Sequence, residues 1–182
     1  MLGRRRNRIA QNFILTPAQT DVLMQANRLV AGGQPGAAAP LFAQLAHEME
    51  ATNHPRRAAN LHAQAAHTYA DSQNEAAALT HARTALSLFI QYKMVMRTPV
   101  FYGNITRKLR AKGFAAAADT LQREFEKVVG PVPSAPAPAA AHAGRLPTGC
   151  PKCGAPVRHD EISWVDAQTA ECPYCGTLLP AT

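Results

Sequence analysis

The sequence predicts a mainly α-helical protein: three stacked helical hairpins, a linker rich in proline and alanine, and a small β module at the C-terminus. Three observations predict this class. Apolar residues recur at helical spacing with short breaks, alanine-rich text returns at a fixed interval, and all cysteines lie near the C-terminus. The expected parts are a basic N-terminal arm (1–15), a helical repeat domain (16–129), a disordered linker (130–148) and a cysteine module (149–182).

The N-terminal arm is basic but lacks the features of an export signal. Its charge comes from Arg4, Arg5, Arg6 and Arg8. The apolar residues that follow are interrupted by Gln11 and Asn12, and no cleavage site is recognisable. No apolar run reaches the roughly 18 residues that a membrane span needs. We therefore expect an unprocessed cytoplasmic protein in a reducing environment, where cysteines bind metals more often than they form disulfides.

Six helices are expected between Thr16 and Val129. A threonine followed by proline, which is typical of a helix start, occurs at Thr16-Pro17 and again at Thr98-Pro99. Breaks between the helices are expected at residues 32–35, 53–55, 71–74, 94–99 and 112–113. Because the breaks are short, consecutive helices are expected to pack as hairpins.

A repeat of about 40 residues runs through the helical region. Ala38, Ala78 and Ala118, each in alanine-rich text at the start of a helix, are spaced by 40 residues. A single hairpin cannot bury its own apolar faces, so the three hairpins are expected to stack. The small alanines then lie where helices cross and allow close approach, while larger residues fill the sides.

The middle unit resembles a tetratricopeptide repeat. The residues that carry the likeness are Leu61 to Tyr69, Ala78-Leu79 and Ala85-Leu86. The first unit keeps Ala38 and Phe42 but departs from the pattern at Leu45-Ala46, and the third unit is looser. The resemblance implies tetratricopeptide-like helical hairpins, with Tyr69 filling space between paired helices.

Residues 130–148 are predicted to form a flexible linker. The stretch from Pro131 to Ala141 contains nothing to bury and several prolines that cannot continue a helix. At about 3.1 Å per residue, an extended linker of this length reaches roughly 60 Å. The cysteine module is therefore expected to move freely around the helical body.

Two copies of the pattern Cys-Pro-x-Cys-Gly contain every cysteine in the chain. They are Cys150-Pro151-Lys152-Cys153-Gly154 and Cys172-Pro173-Tyr174-Cys175-Gly176. Two such turns brought together place four thiolates at tetrahedral reach, which predicts a structural Zn²⁺ site. The alternatives are a disulfide pair in an exported protein and four unrelated buried thiols. Four cysteine ligands fill the coordination shell, so the site is not expected to be catalytic.

The C-terminal module resembles a zinc ribbon over residues 150–179. Ile162 and Trp164 alternate with a serine as in a strand, and Leu178 and Leu179 are expected to complete a small apolar sheet against the metal. So few apolar residues cannot fold alone, and the metal is expected to supply folding free energy on the order of 10 kcal/mol. Removing one ligand, as in Cys153→Ala, is expected to unfold the module and leave the helices intact.

The helical region also contains histidines and a basic patch. The histidines are His47, His54, His62, His67 and His81. With no carboxylate recognised at ligand spacing, we expect them on solvent-exposed faces without a catalytic or metal-binding role. The patch consists of Arg107, Lys108, Arg110 and Lys112 on the fifth helix. It is expected to be a solvated face, or else a contact for an acidic partner or a phosphate.

These patterns predict a non-enzymatic adaptor. Its helical repeats would dock one protein partner, and its tethered zinc ribbon would make a second contact or stabilise an assembly. One alternative is a nucleic-acid-associated factor that uses the basic arm and patch, although residues 150–182 carry two basic against four acidic residues. Another is an electron carrier, because rubredoxins bind iron with similar turns. No phosphate-binding glycine loop or nucleophile motif indicates an enzyme.

Overall fold

The computed structural model describes residues 15–95, 97–129, 144–157, 162–164, 168–172, 174–175 and 177–182. Within these ranges the helices are α1 (Pro17–Ala31), α2 (Pro35–Ala51), α3 (Pro55–Asp71), α4 (Glu75–Gln91), α5 (Arg97–Ala111) and α6 (Ala115–Val129). The strands are β1 (Ser163–Trp164), β2 (Thr169–Glu171) and β3 (Leu178–Pro180). The mainly helical class and the six helices are confirmed. No helix among the described residues is both long and apolar enough to cross a membrane.

The expected threonine cap is present at the start of α1 but not at the start of α5. Thr16 caps α1, because its hydroxyl accepts from the Gln19 amide at 3.2 Å while Gln19 Oε1 accepts from the Thr16 amide at 3.1 Å. The expectation that Thr98 caps the fifth helix is wrong. That helix begins at Arg97, and the Thr98 hydroxyl donates back to the Met94 carbonyl at 3.0 Å.

One turn is repeated between all consecutive helices. Its middle residue has a left-handed backbone at Gly33, Asn53, Gln73, Lys93 and Gly113, with φ between 52° and 89°. The residue after each donates its amide to the carbonyl five residues earlier, at 2.7 to 2.9 Å. This is the Schellman termination of a helix. Because the positions are spaced by 20 residues, the structural repeat is one helix and one turn, and the 40-residue repeat is a pair of them.

Small buried residues occupy the equivalent position, 20 residues apart, near the start of helices α2 to α6. Ala38, Ala58, Ala78 and Ala118 are all fully buried, and Thr98 takes the same register in α5 with 8% exposure. The expected role of the alanines at helix crossings is therefore supported, since a larger side chain at these positions would push neighbouring helices apart. Each helix packs against the next, and α3 also contacts α5 as α4 contacts α6.

Two apolar cores share helix α3. The first is formed by α1, α2 and residues of α3 such as Leu61, and it also contains all four cysteines. The second is formed by α4, α5, α6 and residues of α3 such as Ala66. Eleven of the 17 residues of α3 are buried. A helix buried on most of its surface is central to the fold, so α3 connects the two cores.

The C-terminal module contains a three-stranded antiparallel sheet in the order β1-β2-β3. Trp164 pairs with Ala170, and Ala170 pairs with Leu179. Leu179 is fully buried, whereas Leu178 is 57% exposed, so only one of the two leucines packs inward as expected.

The module begins earlier in the chain than the sequence predicts. Arg145 and Thr182 exchange backbone hydrogen bonds of 2.8 and 3.0 Å, and the Val157 amide donates to the Thr148 carbonyl at 3.0 Å. Residues 144–148 therefore belong to the folded module. The remainder of the expected linker, 130–143, lies outside the described residues, as do residues 1–14 of the expected N-terminal arm.

We expect two glycine substitutions to change stability in opposite directions. Gly113→Ala should lower the free energy of unfolding by about 1 kcal/mol, because its φ of +89° is unfavourable for alanine even though nothing crowds the site. Gly103→Ala, inside α5 with nothing within 4 Å of a new Cβ, should raise it by about 0.5–1 kcal/mol. Urea unfolding followed by circular dichroism measures both. Equal effects of the two substitutions would contradict the repeated-turn interpretation.

Candidate metal centre

The structure brings together the four cysteines that the sequence identifies. Cys150 Sγ lies 3.5 Å from Cys175 Sγ, and Cys153 Sγ lies 3.8 Å from Cys172 Sγ. All four sulfurs lie within 4.8 Å of one another, and none forms a disulfide. A tetrahedral metal with metal–sulfur bonds of about 2.3 Å needs sulfurs about 3.8 Å apart. The quartet therefore has the spacing of a four-thiolate metal site.

The first cysteine turn is closed by backbone hydrogen bonds. The Gly154 amide donates to the Cys150 carbonyl at 2.9 Å, and the Cys150 amide donates to the Ala155 carbonyl at 2.8 Å. Gly154 has a φ of +72°, which explains the glycine after the second cysteine. In the second turn, the Cys172 amide donates to the Thr177 carbonyl at 2.9 Å. Gly176 lies outside the described residues.

The pKa is lowered for two of the four thiols and raised for the other two. Hydrogen bonding with Cys153 and then Cys172 lowers the pKa of Cys150 to about 6, and the neighbouring thiols also lower the pKa of Cys175. The same network, with Cys150 as the largest cause, raises the pKa of Cys153 and Cys172. Four thiolates cannot be held together without a cation. A bound dication would stabilise all four as thiolates and release the remaining protons.

The quartet is closed to solvent. Each cysteine is at most 3% exposed, so no side of the cluster is left open to a substrate. The Thr177 hydroxyl oxygen lies 3.3 Å from Cys175 Sγ, where it can donate to a thiolate. Burial and four identical soft ligands fit a structural metal ion better than a reactive one.

The module is docked on the helical body. Asn27 Nδ2, on α1, donates to the Cys153 carbonyl at 3.1 Å and to the Leu23 carbonyl at 2.9 Å. Gln64 Nε2, on α3, donates to the hydroxyl of Tyr174, which is 2% exposed. The cysteines share one core with α1 to α3. The expectation that the module moves freely around the helical body is therefore wrong.

A buried arginine balances the charge of the module. Arg57 on α3 is 8% exposed; burial lowers its pKa, and Glu171, Cys175 and Cys172 oppose that shift electrostatically. Burial raises the pKa of Glu171, and Arg57 opposes that shift in turn. Four thiolates around a dication carry a net charge of about −2. Sequence reasoning missed Arg57, because only the docking of the module brings it near the cysteines.

The histidines of the helical region are not all on exposed faces. His62 is fully buried and His81 is 8% exposed. His62 Nδ1 lies 2.8 Å from His81 Nδ1, and His47 on α2 stacks edge-on against His62. Glu50, one turn after His47, faces both His47 and His62. The expectation of exposed histidines without a carboxylate at ligand spacing is wrong, because His62 and His81 are buried and Glu50 lies one helical turn after His47.

The other two histidines lie outside this cluster. His54 is the N-cap residue of α3 and its Nδ1 lies 3.1 Å from the Thr52 hydroxyl. His67 packs edge-on against Phe101, with ring centroids 5.4 Å apart. The structure therefore separates the five histidines into three that converge and two that serve local packing.

Most of the basic patch on α5 is paired within the protein. Lys108 Nζ and Lys112 Nζ lie 2.6 and 3.1 Å from the carboxylate oxygens of Asp71. Arg110 lies 3.0 Å from Asp119 Oδ1. Of the patch, only Arg107 has no ion pair among the described residues. The patch thus ties α5 to α3 and α6 more than it offers charge to a partner.

Metal removal should affect the module and the first hairpin together. We expect a strong chelator under reducing conditions to change Trp164 fluorescence and to increase deuterium exchange in residues 149–182 and in α1, because α1 loses its contacts to Cys153. Helices α5 and α6 belong to the second core and should keep their protection. Cys153→Ser should reproduce the pattern. Exchange confined to the module would contradict the shared core.

The ion pair of Asp71 should matter more than that of Asp119. Asp71→Asn should cost about 1 kcal/mol of stability, since its side chain is 34% exposed and solvent screens part of the attraction. Asp119→Asn, with a side chain 55% exposed, should cost less than about 0.5 kcal/mol. Urea unfolding of both variants measures the difference.

The pH dependence of the Asp71 variant has a defined sign. Burial raises the pKa of Asp71, but hydrogen bonds from Lys108 and Lys112 outweigh it and bring the pKa below 3.8. The stability that ionised Asp71 contributes is therefore fully present above pH 3.8. It is lost as the pH falls through the lowered pKa of Asp71. The stability difference between wild type and Asp71→Asn should be constant from about pH 5 to 8. A difference that disappears by about pH 5 would contradict the direction of the shift.

No protein-family model, curated protein or solved structure matches this chain. The resemblance to tetratricopeptide repeats and to zinc ribbons therefore rests on the sequence motifs alone. The chain has six helices that pack in consecutive pairs within the described residues, and four buried cysteines within metal-binding distance of one another.

Proposed function

We propose that the chain is a non-enzymatic adaptor: tetratricopeptide-like hairpins that bind a protein partner, and a zinc ribbon that is docked on them and makes a second contact. The observation that carries this proposal is an open apolar groove between α4 and α6, in a chain whose cysteine site is closed. A closed quartet favours a structural role for the metal, and an open groove favours recognition.

Zinc is the proposed ion of the quartet, held by Cys150, Cys153, Cys172 and Cys175. The sulfur separations of 3.5 and 3.8 Å fit tetrahedral coordination by thiolates. Such an ion would supply charge neutralisation and folding free energy, with no open position for chemistry. A rubredoxin-like iron site has the same ligands, and metal analysis separates the two, since an iron site would make the protein red. The site also requires reduced thiols, which is consistent with a cytoplasmic location.

The groove offers a surface for an apolar side of a partner. It has a volume of about 490 Å³ and is lined by Leu86, Ile90, Leu121, Phe125 and Val128. Among the described residues, Val128 lines this groove and is 68% exposed, so its side chain is available to a partner. An amphipathic helix with apolar residues one turn apart is the partner chemistry that fits such a groove.

The rim of the groove adds a polar edge. Arg83 donates twice to Glu124, with both distances 2.7 Å, across the same pair of helices. This bidentate pair adds a directional link between the two helices that line the groove.

The second contact is assigned to the outer edge of the zinc ribbon. Strand β3 lies at the edge of the sheet, and Leu178 on it is 57% exposed. An edge strand with an exposed apolar side chain is a common site of β-strand addition by a partner. Since the ribbon is docked, the two contacts are held at a fixed separation, and one rigid partner or two neighbouring subunits can engage both.

The nucleic-acid alternative has no observation in its favour among the described residues. Lys108, Arg110 and Lys112 are engaged in ion pairs, and a phosphate would have to displace them. The remaining basis is the arm with Arg4, Arg5, Arg6 and Arg8, which lies outside the described residues. Salt-dependent binding to RNA or DNA that is lost on removal of residues 1–8 would support the alternative.

A charge placed in the groove should abolish partner capture. We expect Val128→Glu to remove from an affinity purification at least one protein that the zinc-loaded wild type retains, because a buried carboxylate at an apolar interface is costly. The matched control is Val30→Glu, since Val30 on α1 is also exposed, at 44%, but lies far along the chain from the groove. Quantitative mass spectrometry compares the three samples.

The outcomes separate the possibilities. A protein retained by wild type and Val30→Glu but lost with Val128→Glu supports the groove as the docking surface, and purified components then test direct binding. Equal recovery from all three samples contradicts the groove. Turnover of a substrate by the purified protein would contradict the non-enzymatic proposal as a whole.

A further inference from the structure

Three side chains of α2 and α3, two of them exposed and one buried, converge in the helical region. His47 Nδ1 lies 3.2 Å from Glu50 Oε2, and His62 Nε2 lies 3.4 Å from the same oxygen. The three atoms all lie within 4.8 Å of one another. Two imidazoles and one carboxylate are a ligand set that divalent transition metals favour.

The distances between these ligand atoms also fit the coordination of one ion. Metal–nitrogen and metal–oxygen bonds of about 2.0–2.1 Å place tetrahedral ligand atoms about 3.3–3.4 Å apart. The separations of 3.2 and 3.4 Å are close to this edge length. As a hydrogen bond, by contrast, the contact from His62 is poor: its buried Nε2 has no hydrogen-bond partner among the described residues. A buried polar atom without a partner needs an explanation.

In one of its two tautomers, the contact between His62 and His81 leaves His62 Nε2 free to bind a metal. Their Nδ1 atoms lie 2.8 Å apart, so one donates and the other accepts when both rings are neutral. If His62 donates through Nδ1, its Nε2 carries a lone pair that points toward Glu50. A lone pair facing a carboxylate is repulsive unless a cation lies between them. His81, which stacks on Tyr69 with ring centroids 5.3 Å apart, is then held as the outer acceptor that metal-ligating histidines usually have.

We propose that His47, Glu50 and His62 form a second metal site that binds one divalent transition-metal ion, with Zn²⁺ as the expected species. The ion reaches the site from solvent, because the side chains of His47 and Glu50 are 65% and 36% exposed while that of His62 is fully buried. Three protein ligands leave a fourth position for water or for a side chain of a partner. The site is independent of the cysteine quartet and of the proposed adaptor role.

Cobalt distinguishes the two sites in the full-length reduced protein. We expect two equivalents of Co²⁺ to bind. One should give the intense near-ultraviolet absorption of cobalt bound to thiolates. The other should add only visible ligand-field bands, because His47, Glu50 and His62 contain no sulfur. Equilibrium dialysis with Zn²⁺, followed by metal analysis, gives the stoichiometry independently.

Two exposed ligands allow variants that spare the core. His47→Gln and Glu50→Gln should each weaken the sulfur-free equivalent by at least about tenfold and leave the thiolate absorption unchanged. The matched controls are Glu48→Gln and His54→Gln. Glu48 lies on the same helix as Glu50 but accepts from Gln19 and Gln44, and His54 lies outside the cluster. Neither control should change binding of either equivalent.

Each outcome bears on the proposal. Binding of a single, thiolate-coordinated equivalent would overturn the second site and leave the quartet intact. A second equivalent that Glu50→Gln does not weaken, or that Glu48→Gln weakens equally, would also overturn it by placing the ion elsewhere. Loss of the thiolate absorption in the wild type would contradict the quartet instead, so failure of one site is distinguishable from failure of the other.

Discussion

The burial of four cysteine thiols in the core of the first hairpin is the constraint on which the remainder of the structure depends. The quartet lies in one apolar cluster with residues of α1, α2 and α3, and each sulfur is nearly inaccessible. Thiolates in such a place are unfavourable unless a cation neutralises them. Four thiolates, one dication and the nearby Arg57 together carry a net charge of about −1. The negative charge of the metal-bound cluster explains why a buried arginine is tolerated beside this module.

Helix α3 transmits this constraint to the remainder of the chain. Arg57 and Gln64, two helical turns apart on one face, point toward the module, whereas His62 lies on another face and meets α2 and α4. Ala58 packs in the first core and Ala59 in the second. A helix with partners on every side cannot shift to suit one neighbour without disturbing another. Helix α3 thus fixes the position of the first core relative to the second.

How much the sequence predicts depends on whether a feature is local. The cysteine turns, the cap at Thr16 and the alanines at helix crossings follow from residues close in the chain, and these were predictable. The left-handed turns at Asn53, Gln73 and Lys93 have no glycine to mark them, and only the 20-residue register set by Gly33 and Gly113 connects them. Docking of the module depends on Asn27, Gln64 and Tyr174, which are far apart in sequence. Single polar residues on long helices carry no pattern that predicts such a contact.

The two candidate metal sites differ in the property that decides what a metal can do. The cysteine quartet is complete and inaccessible, so an ion there exchanges slowly and serves the fold. The site of His47, Glu50 and His62 has one buried ligand and two exposed ones, so an ion there can exchange and can accept a fourth ligand from outside. Both sites draw on α3, one through its contacts with the module and the other through His62. One face of α3 therefore supports the buried cysteine site, which serves stability, and another face supports the accessible histidine site. A substitution that removes the metal from one site need not remove it from the other.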